Sequence, residues 1–445
     1  MNREEMMSRV IDRDKPWDIL VIGGGATGMG IAVDAASRGY DTLLVEQSDF
    51  GKGTSSRSTK LIHGGVRYLQ HGNVSLVMEA LRERGILRNN APHLVHDLAF
   101  IVPSYDWWES PFYGIGLKIY DILAGRYGFG PSKVLSKEET LKRIPTIRRE
   151  GLRGGIIYYD GQFDDARLLI NLARTASHQG ATLLNYARVN TLTRSRNGFL
   201  NGVVFEDMET RKEYHAETKV VINATGPFTD WVRRMDDPDA QAMIAPSQGI
   251  HLVLDRSFLP GHSAIMVPHT KDGRVMFALP YLGVTLVGTT DTPITDLTLE
   301  PRPMAEEIEF ILDTAGAYLD KVPTQDDILS LFAGIRPLVK AGDEKNTLAL
   351  SRDHTIHISN SGLLTIAGGK WTTYRLMAKE CVNHAAALAD LEMKPCITEQ
   401  LNIHGFHKAP EKFGNLSLYG SDAPAIEDLM RVQPAYREKL HPALP

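Results

Sequence analysis

Cysteine is almost absent from this chain: 445 residues contain only Cys381 and Cys396. Two cysteines at that spacing make neither a metal-ligand set nor a disulfide framework. No bound metal is therefore expected, and a reducing compartment is. Long apolar runs are missing as well. No stretch of about 18 uncharged apolar residues occurs, so no segment reads as a bilayer-spanning helix. Met1 to Trp17 is charged and has no apolar centre, so it does not read as a secretory signal. An excess of positive charge is also lacking. The formal net charge of −5, from 49 Lys and Arg against 54 Asp and Glu, gives no reason to expect nucleic acid as a partner. There is no internal repeat and no low-complexity tract. What remains is ordinary: 43% hydrophobic and 23% charged residues, as in a globular protein of two or three domains.

Against that background one segment stands out. Ile19-Leu-Val-Ile22 runs directly into Gly23-Gly-Gly-Ala-Thr-Gly28, a Gly-x-Gly-x-x-Gly pattern. Met29 to Arg38 then reads as a helix, Thr42 to Val45 as a second strand, and Glu46 closes it. Gly23 permits a tight turn, Gly25 lets backbone approach a pyrophosphate, and Gly28 lets helix and strand pack closely. The helix N-terminus offers unpaired N–H groups and partial positive charge to phosphates. Glu46 lies about where a ribose acceptor is needed, roughly 20 residues on. The pattern predicts a dinucleotide site but does not choose between NAD and FAD.

The nucleotide fold is not contiguous. Buried-strand signals return at Lys219 to Gly226 and at Gly362 to Gly369. Each ends in small residues, as a strand does where it approaches a ligand. Alternating segments at Ile250–Leu254, Arg274–Leu279 and Val284–Gly288 predict an antiparallel sheet with one covered face. The fold class is therefore α/β: a Rossmann-like dinucleotide-binding domain interleaved with an antiparallel-sheet substrate domain. The expected partition is nucleotide domain 1–100, cap 101–160, nucleotide domain 161–235, substrate domain 236–345, nucleotide domain 346–391, and a C-terminal segment 392–445. Helical stripes are expected over Met304–Asp320 (Ile308, Ile311, Leu312, Ala315, Leu319) and Trp371–Leu391 (Tyr374, Met377, Cys381, Ala385, Leu388), with a short helix at Ala425–Val432.

Three further motifs carry chemistry. Ser55 to Tyr68 gathers hydroxyls, cations and the glycine pair Gly64-Gly65 just past the fingerprint, suited to phosphates and the edge of a planar ring. Its contact candidates are Ser58, Thr59, His63, Gly64 and Gly65. Ala367 to Arg375 ends a strand and starts a helix. Gly368 and Gly369 permit close approach, and the helix N-terminus and Lys370 supply positive potential. A flavin becomes anionic at its N1–C2=O edge on reduction, whereas nicotinamide becomes neutral, so this device suits a flavin. Gly334-Ile-Arg-Pro-Leu338 and Ser351-Arg-Asp-His354 add Arg336 and Arg352, whose guanidinium forks match phosphate oxygens.

Together these motifs resemble the FAD-dependent, quinone-linked glycerol-3-phosphate dehydrogenase family, within the amine-oxidase-like flavoproteins. The resemblance covers roughly residues 17 to 391. It rests on Gly23–Gly28, Ser58–Tyr68, Gly334–Leu338, Ser351–His354 and Gly368–Arg375. It implies FAD, contacted by Gly23, Gly25, Gly28, Glu46, Ser58, Thr59, His63, Gly64, Gly65, Thr225, Gly226, Gly369, Lys370, Trp371 and Thr372. It implies that Arg67, Tyr68 and Arg352 meet the substrate phosphate, and that Arg336 and Lys370 lie near the reacting carbon. His63 and His251 match family histidines near the flavin, and either suits the role of base. It also implies further helices beyond Pro445, with homodimerisation or partner docking as their expected role.

The expected reaction is oxidation of sn-glycerol 3-phosphate to dihydroxyacetone phosphate by hydride transfer to flavin N5, with electrons passed to a quinone. The protein is then expected on the cytoplasmic side, soluble or peripherally held at a membrane. Trp107-Trp108 and Phe112–Leu123 are aromatic and apolar enough to rest in a bilayer interface. The competing readings are an oxidase that reduces O2, acting on glycerol phosphate or an amine, and a non-catalytic dinucleotide-binding sensor.

Overall fold

A computed structural model describes residues 1–66, 73–268, 270, 273–340 and 354–438. Two sheets organise it. The first has six strands in the order His354–Ile358, Leu363–Gly368, Val221–Asn223, Ile19–Ile22, Thr42–Val45, Thr182–Leu184. All pairs are parallel except the outermost hairpin, His354–Ile358 with Leu363–Gly368. Its central strands are buried on both faces, which is why Ile19–Ile22 and Thr42–Val45 read as unbroken apolar runs. Helices Ala26–Ser37, Asp165–His178 and Tyr374–Leu388 cover one face. The N-terminal helix Arg3–Ile11 and a three-stranded meander (Ala187–Arg194, Leu200–Asp207, Glu213–Glu217) cover the other. From Ile19–Ile22 the chain moves to Thr42–Val45 on one side and later to Val221–Asn223 on the other. That reversal of strand order is where open α/β sheets bind ligands.

The glycine-rich helix begins at Ala26, earlier than the expected Met29, and ends at Ser37. Gly25 is the extended N-cap, and the Ala26 N–H donates to Ser55 Oγ at 2.9 Å. A side chain from the next motif thus satisfies one of the helix's orphan donors.

The second sheet has ten strands, eight of them on its main path, from Thr292–Pro293 through Ile244–Asp255, Val284–Gly288, Met276–Tyr281, Ser263–Val267, Val95–Ser104 and Gly154–Phe163 to Leu61–Ile62, with Lys133–Ser136 pairing beside Gly154–Phe163. Ile328–Val339 pairs along Ile244–Asp255. Two expectations need correction here. The sheet is mixed, because Ser263–Val267 runs parallel to Val95–Ser104. Both of its faces are covered, not one. Ile101 and Ile157 face a core closed by helix Ala305–Gly316, through Ile311, Leu312 and Ala315. Phe100, Val102, Ile156 and Tyr158 face a core closed by helix Glu109–Ala124, through Tyr113, Leu117 and Tyr120. This is the period of two expected of strands whose faces are both buried.

The expected stripe on Tyr374–Leu388 holds for Tyr374, Met377, Cys381 and Ala385, while Leu388 is exposed at 39%. The C-terminal helix starts at Ala423, since Pro424 is tolerated in a first turn. The C-terminal segment packs on the first sheet's helices: Ile403 joins their core, and Tyr40 donates to the Glu392 carbonyl at 2.6 Å.

Candidate active site

A cavity of about 670 Å³ opens at the carboxyl ends of the parallel strands and runs toward the second sheet. Its size lies within the range of roughly 300–1,000 Å³ typical of ligand sites. One end is built from the fingerprint. Gly23 has φ +114°, and a Cβ there would sit 2.5 Å from the Ala224 carbonyl oxygen. A Cβ on Gly28 would overlap the Gly23 carbonyl. Both positions therefore need glycine. Glu46 accepts from the Gly24 N–H at 2.7 Å and the Ser48 N–H at 2.8 Å, and burial pushes its carboxyl above the usual range. Thr225 and Gly226 line the wall beyond Val221–Asn223, with the Thr225 hydroxyl donating to Asn223 Oδ1 at 2.7 Å.

The Ser58–Lys60 segment is pinned from behind. Ser58 donates through both its backbone N–H and its hydroxyl to Asp165 Oδ2, at 3.1 and 2.7 Å. Lys60 Nζ meets Asp165 Oδ1 at 2.6 Å. Ser58 lines the cavity, with its N–H and hydroxyl turned to Asp165. Thr59 lines the cavity and its hydroxyl lies 2.9 Å from His251 Nε2. His63 also lines it, while Gly64 and Gly65 are buried and off the wall. Gly64 is needed for packing: a Cβ there would sit 2.5 Å from both Leu81 and the Tyr120 hydroxyl.

The far end carries the cations. Arg336 sits on Ile328–Val339, opposite Ser247. Its Nη2 donates to Thr289 Oγ1 at 2.9 Å, and its Nη1 lies 3.4 Å from Asp291 Oδ1 and from the Gln248 carbonyl. Asp291 is itself held by the Ser247 hydroxyl. Gly368 and Gly369 have φ +79° and +76° and lead into Lys370, Trp371 and Thr372, all on the cavity wall. The Trp371 indole N–H donates to the Ser55 carbonyl at 2.8 Å. Thr372 Oγ1 bridges the His63 backbone, accepting from its N–H at 3.2 Å and donating to its carbonyl at 3.3 Å. The two motifs are thereby stitched together.

His251 is 2% exposed and stacks on Phe332, with centroids 4.9 Å apart. Burial, then the Arg336 and Lys60 charges, hold its pKa well below the ordinary histidine value, so the ring is neutral near pH 7. Arg67, Tyr68 and Arg352 lie outside the described residues. Among the described residues, no group of three or more His, Cys, Asp or Glu is arranged to hold a metal.

The residues present fit a flavin dinucleotide. A glycine cradle with its helix N-terminus lines the cavity, and so do Gly368, Gly369 and Lys370, which lead into a second helix. The FAD dependent oxidoreductase family model matches residues 18–375.

The chain belongs to the FAD dependent oxidoreductase family.

This flavoprotein is 45% identical to the mitochondrial glycerol-3-phosphate dehydrogenase of Homo sapiens over 423 residues, which is 91% of this chain and 58% of that one. Identity to the mitochondrial glycerol-3-phosphate dehydrogenase of Arabidopsis thaliana is 46% over 418 residues, covering 90% of this chain and 66% of the other. The flavoprotein thus spans less than two thirds of these relatives' length. It is similar to the structure of glycerol-3-phosphate dehydrogenase from Bacillus halodurans complexed with FAD, with a TM-score of 0.77 and 33% identity, covering 96% of this chain and 79% of that one. The L-alpha-glycerophosphate oxidase of Mycoplasma pneumoniae, at 18% identity and TM-score 0.67, shares the fold.

Several residues that build the flavoprotein's site were not singled out by sequence. Asp165 carries an N-terminal helix signal, Asp164-Asp165 before an apolar run, but nothing local ties it to Lys60. Asp291, Thr289 and Gly249 reach Arg336 only through strand pairing, which no short motif encodes.

Proposed function

We propose that this flavoprotein oxidises sn-glycerol 3-phosphate at C2 to dihydroxyacetone phosphate. The observation that carries the reading is the Arg336 guanidinium, fixed by Thr289 and Asp291 in the same cavity as Lys370 and the glycine cradle. The relatives, glycerol-3-phosphate dehydrogenases, suggest the substrate. Bound FAD supplies the hydride acceptor. Arg336 and Lys370 stabilise the negative charge that grows on the C2 oxygen as its proton leaves. The phosphate goes to Arg67, Tyr68 and Arg352, giving remote binding energy that orients C2. His63 takes the hydroxyl proton. The neutral His251, flanked by Arg336 and Lys60, gains a proton poorly and serves as a hydrogen-bonding wall instead. Adding glycerol 3-phosphate to the oxygen-free protein should bleach its flavin absorbance. An unchanged spectrum refutes the assignment, and hydrogen peroxide formed in step with substrate loss in air would make it an oxidase.

For the electron acceptor we propose a quinone, reached from a membrane surface. Helix Glu109–Ala124 buries Tyr113, Leu117 and Tyr120 but exposes Phe112, Ile115, Ile119 and Ile122, the last at 77%. Trp107, at 75%, and Trp108 extend this row. Residues three and four apart share a helix face, so this is one apolar stripe suited to a bilayer interface. No helix among the described residues is long and apolar enough to cross a membrane. Flotation with liposomes tests the contact, and protein left wholly in the dense fraction would refute it.

A further inference from the structure

Behind the His63 wall lies a buried polar chain that the reaction as proposed does not use. Tyr120, on the inner face of helix Glu109–Ala124, accepts from the Gly64 backbone N–H at 2.8 Å. Its hydroxyl donates to Asp160 Oδ2 at 2.7 Å. Asp160 Oδ1 meets Arg84 Nη1 at 2.6 Å. Arg84 is 1% exposed, donates to the Tyr127 carbonyl at 3.1 Å, and lies over the Phe129 ring at 4.1 Å. The chain joins two helices (Val74–Asn90 and Glu109–Ala124), the strand Gly154–Phe163 and the segment after Leu61–Ile62.

A buried ion pair is weak evidence for stability, because apolar residues of similar shape are often at least as stabilising. What this pair supplies is direction. A phenol hydroxyl rotates freely unless its proton is committed. Here the Asp160 carboxylate, itself fixed by Arg84, accepts the hydrogen bond from that hydroxyl, which leaves an oxygen lone pair for the Gly64 N–H. The absence of a side chain at Gly64 allows the approach, since a Cβ would sit 2.5 Å from the same hydroxyl. Burial, reinforced by Asp160, keeps the phenol protonated far above neutral pH. Next along the chain, Thr372 clamps the His63 backbone on both its N–H and its carbonyl. Thr372 therefore holds the peptides on both sides of His63, and Tyr120 adds a second anchor on the one that His63 shares with Gly64.

We propose that Tyr120, with its proton fixed by the Asp160–Arg84 pair, is a positioning residue: it anchors Gly64 and so aims the adjoining His63 side chain into the cavity. The functional half of this inference rests on the role given to His63 above.

The test uses the full chain loaded with FAD, as wild type, Tyr120→Phe and Tyr158→Phe. Tyr158 is the matched control: it is buried beside Tyr120, stacks on Phe100 and donates to Met266 Sδ at 3.1 Å. Amide hydrogen exchange is read at Gly64, and kcat and KM are read with sn-glycerol 3-phosphate. Tyr120→Phe should speed Gly64 exchange at least ~10-fold, with the rest of the chain unchanged. It should also lower kcat about 10-fold with KM altered less than about 2-fold, in line with the loss of general-base alignment. Tyr158→Phe should change neither. Fast Gly64 exchange in the wild type overturns the proposal. So does equal exchange in both variants, or unchanged kcat in Tyr120→Phe. Failure of Tyr120→Phe to fold also overturns it, because a hydroxyl that only positions a loop does not hold the fold. If glycerol 3-phosphate leaves the wild-type flavin oxidised, the proposed reaction falls, and the exchange arm alone decides Tyr120.

Discussion

Gly249 lies beneath the guanidinium of Arg336: a Cβ at Gly249 would sit 2.5 Å from Arg336 Nη1. The two belong to neighbouring antiparallel strands, where Gly249 pairs with Gly334 and Arg336 with Ser247. The arginine is thus laid across its partner strand at the one position where that strand has no side chain. Gly249→Ala should displace the guanidinium while leaving both strands paired. A misplacement of about 1 Å can cost on the order of 100-fold in rate. Steady-state assays with glycerol 3-phosphate should show kcat/KM lowered about 100-fold with the flavin still bound. Activity within about 3-fold of wild type would contradict the placement.

Removing the cation itself should do more. Arg336→Ala deletes the charge placed to meet the C2 oxygen, and losing one such donor typically costs about 100- to 1,000-fold in kcat. Asp291→Asn keeps the shape but weakens the hold on Arg336, so a smaller loss, about 10-fold, is expected. Rapid-mixing measurement of flavin bleaching separates these effects from binding.

Protonation distinguishes the two histidines. With His63 as base, kcat/KM should rise with pH through an inflection that belongs to that residue. His63→Asn should abolish that inflection. His251→Asn should leave it in place, because His251 is already neutral near pH 7. An inflection that vanishes with His251 instead would reverse the assignment.

Acid stability should depend on His93. It is buried beneath the C-terminal segment, 3.0 Å from Asn171, and burial lowers its pKa to about 4. Unfolded, it titrates near 6.5. Between those values the unfolded chain binds a proton that the folded chain refuses. Stability is therefore intact above about pH 6.5 and falls as pH drops toward 4, by up to roughly 3 kcal/mol. The melting temperature of His93→Gln should be lower at pH 7 but less dependent on pH between 7 and 5. Parallel curves for the two proteins would refute the linkage.

The membrane contact should respond to charge. Ile115→Glu with Ile122→Glu should abolish liposome flotation while leaving flavin bleaching by glycerol 3-phosphate unchanged, since both side chains point to solvent.

The nucleotide end of this site was legible because its physics is local. Gly23, Gly25 and Gly28 are fixed by a turn, a helix cap and a helix–strand contact, all within a few residues. The strands Thr42–Val45 and Val284–Gly288 were readable to the residue for a similar reason, since burial writes their pattern directly. The supports of the other end were not legible. Asp165 reaches Lys60, Asp291 reaches Arg336 and Tyr120 reaches Gly64 through sheet register and helix packing. The start of the fingerprint helix was missed because its cap is Gly25, with Ser55 as a distant acceptor. The second sheet was expected to expose one face, but Phe100 and Ile101 belong to different cores, and alternation cannot reveal what covers the outer one.

The six-stranded sheet takes its strands from residues 19–45, 182–184, 221–223 and 354–368. A ribosome delivers these pieces in order, and Leu363–Gly368, which pairs with Val221–Asn223, is the last of the six strands to be made. The nascent chain must therefore carry the apolar edge of Val221–Asn223 unpaired while more than a hundred further residues are made. Such an edge is a site for mispairing and a natural point of chaperone engagement. Gly368 and Gly369, which line the cavity, are likewise made long after the fingerprint at Gly23–Gly28.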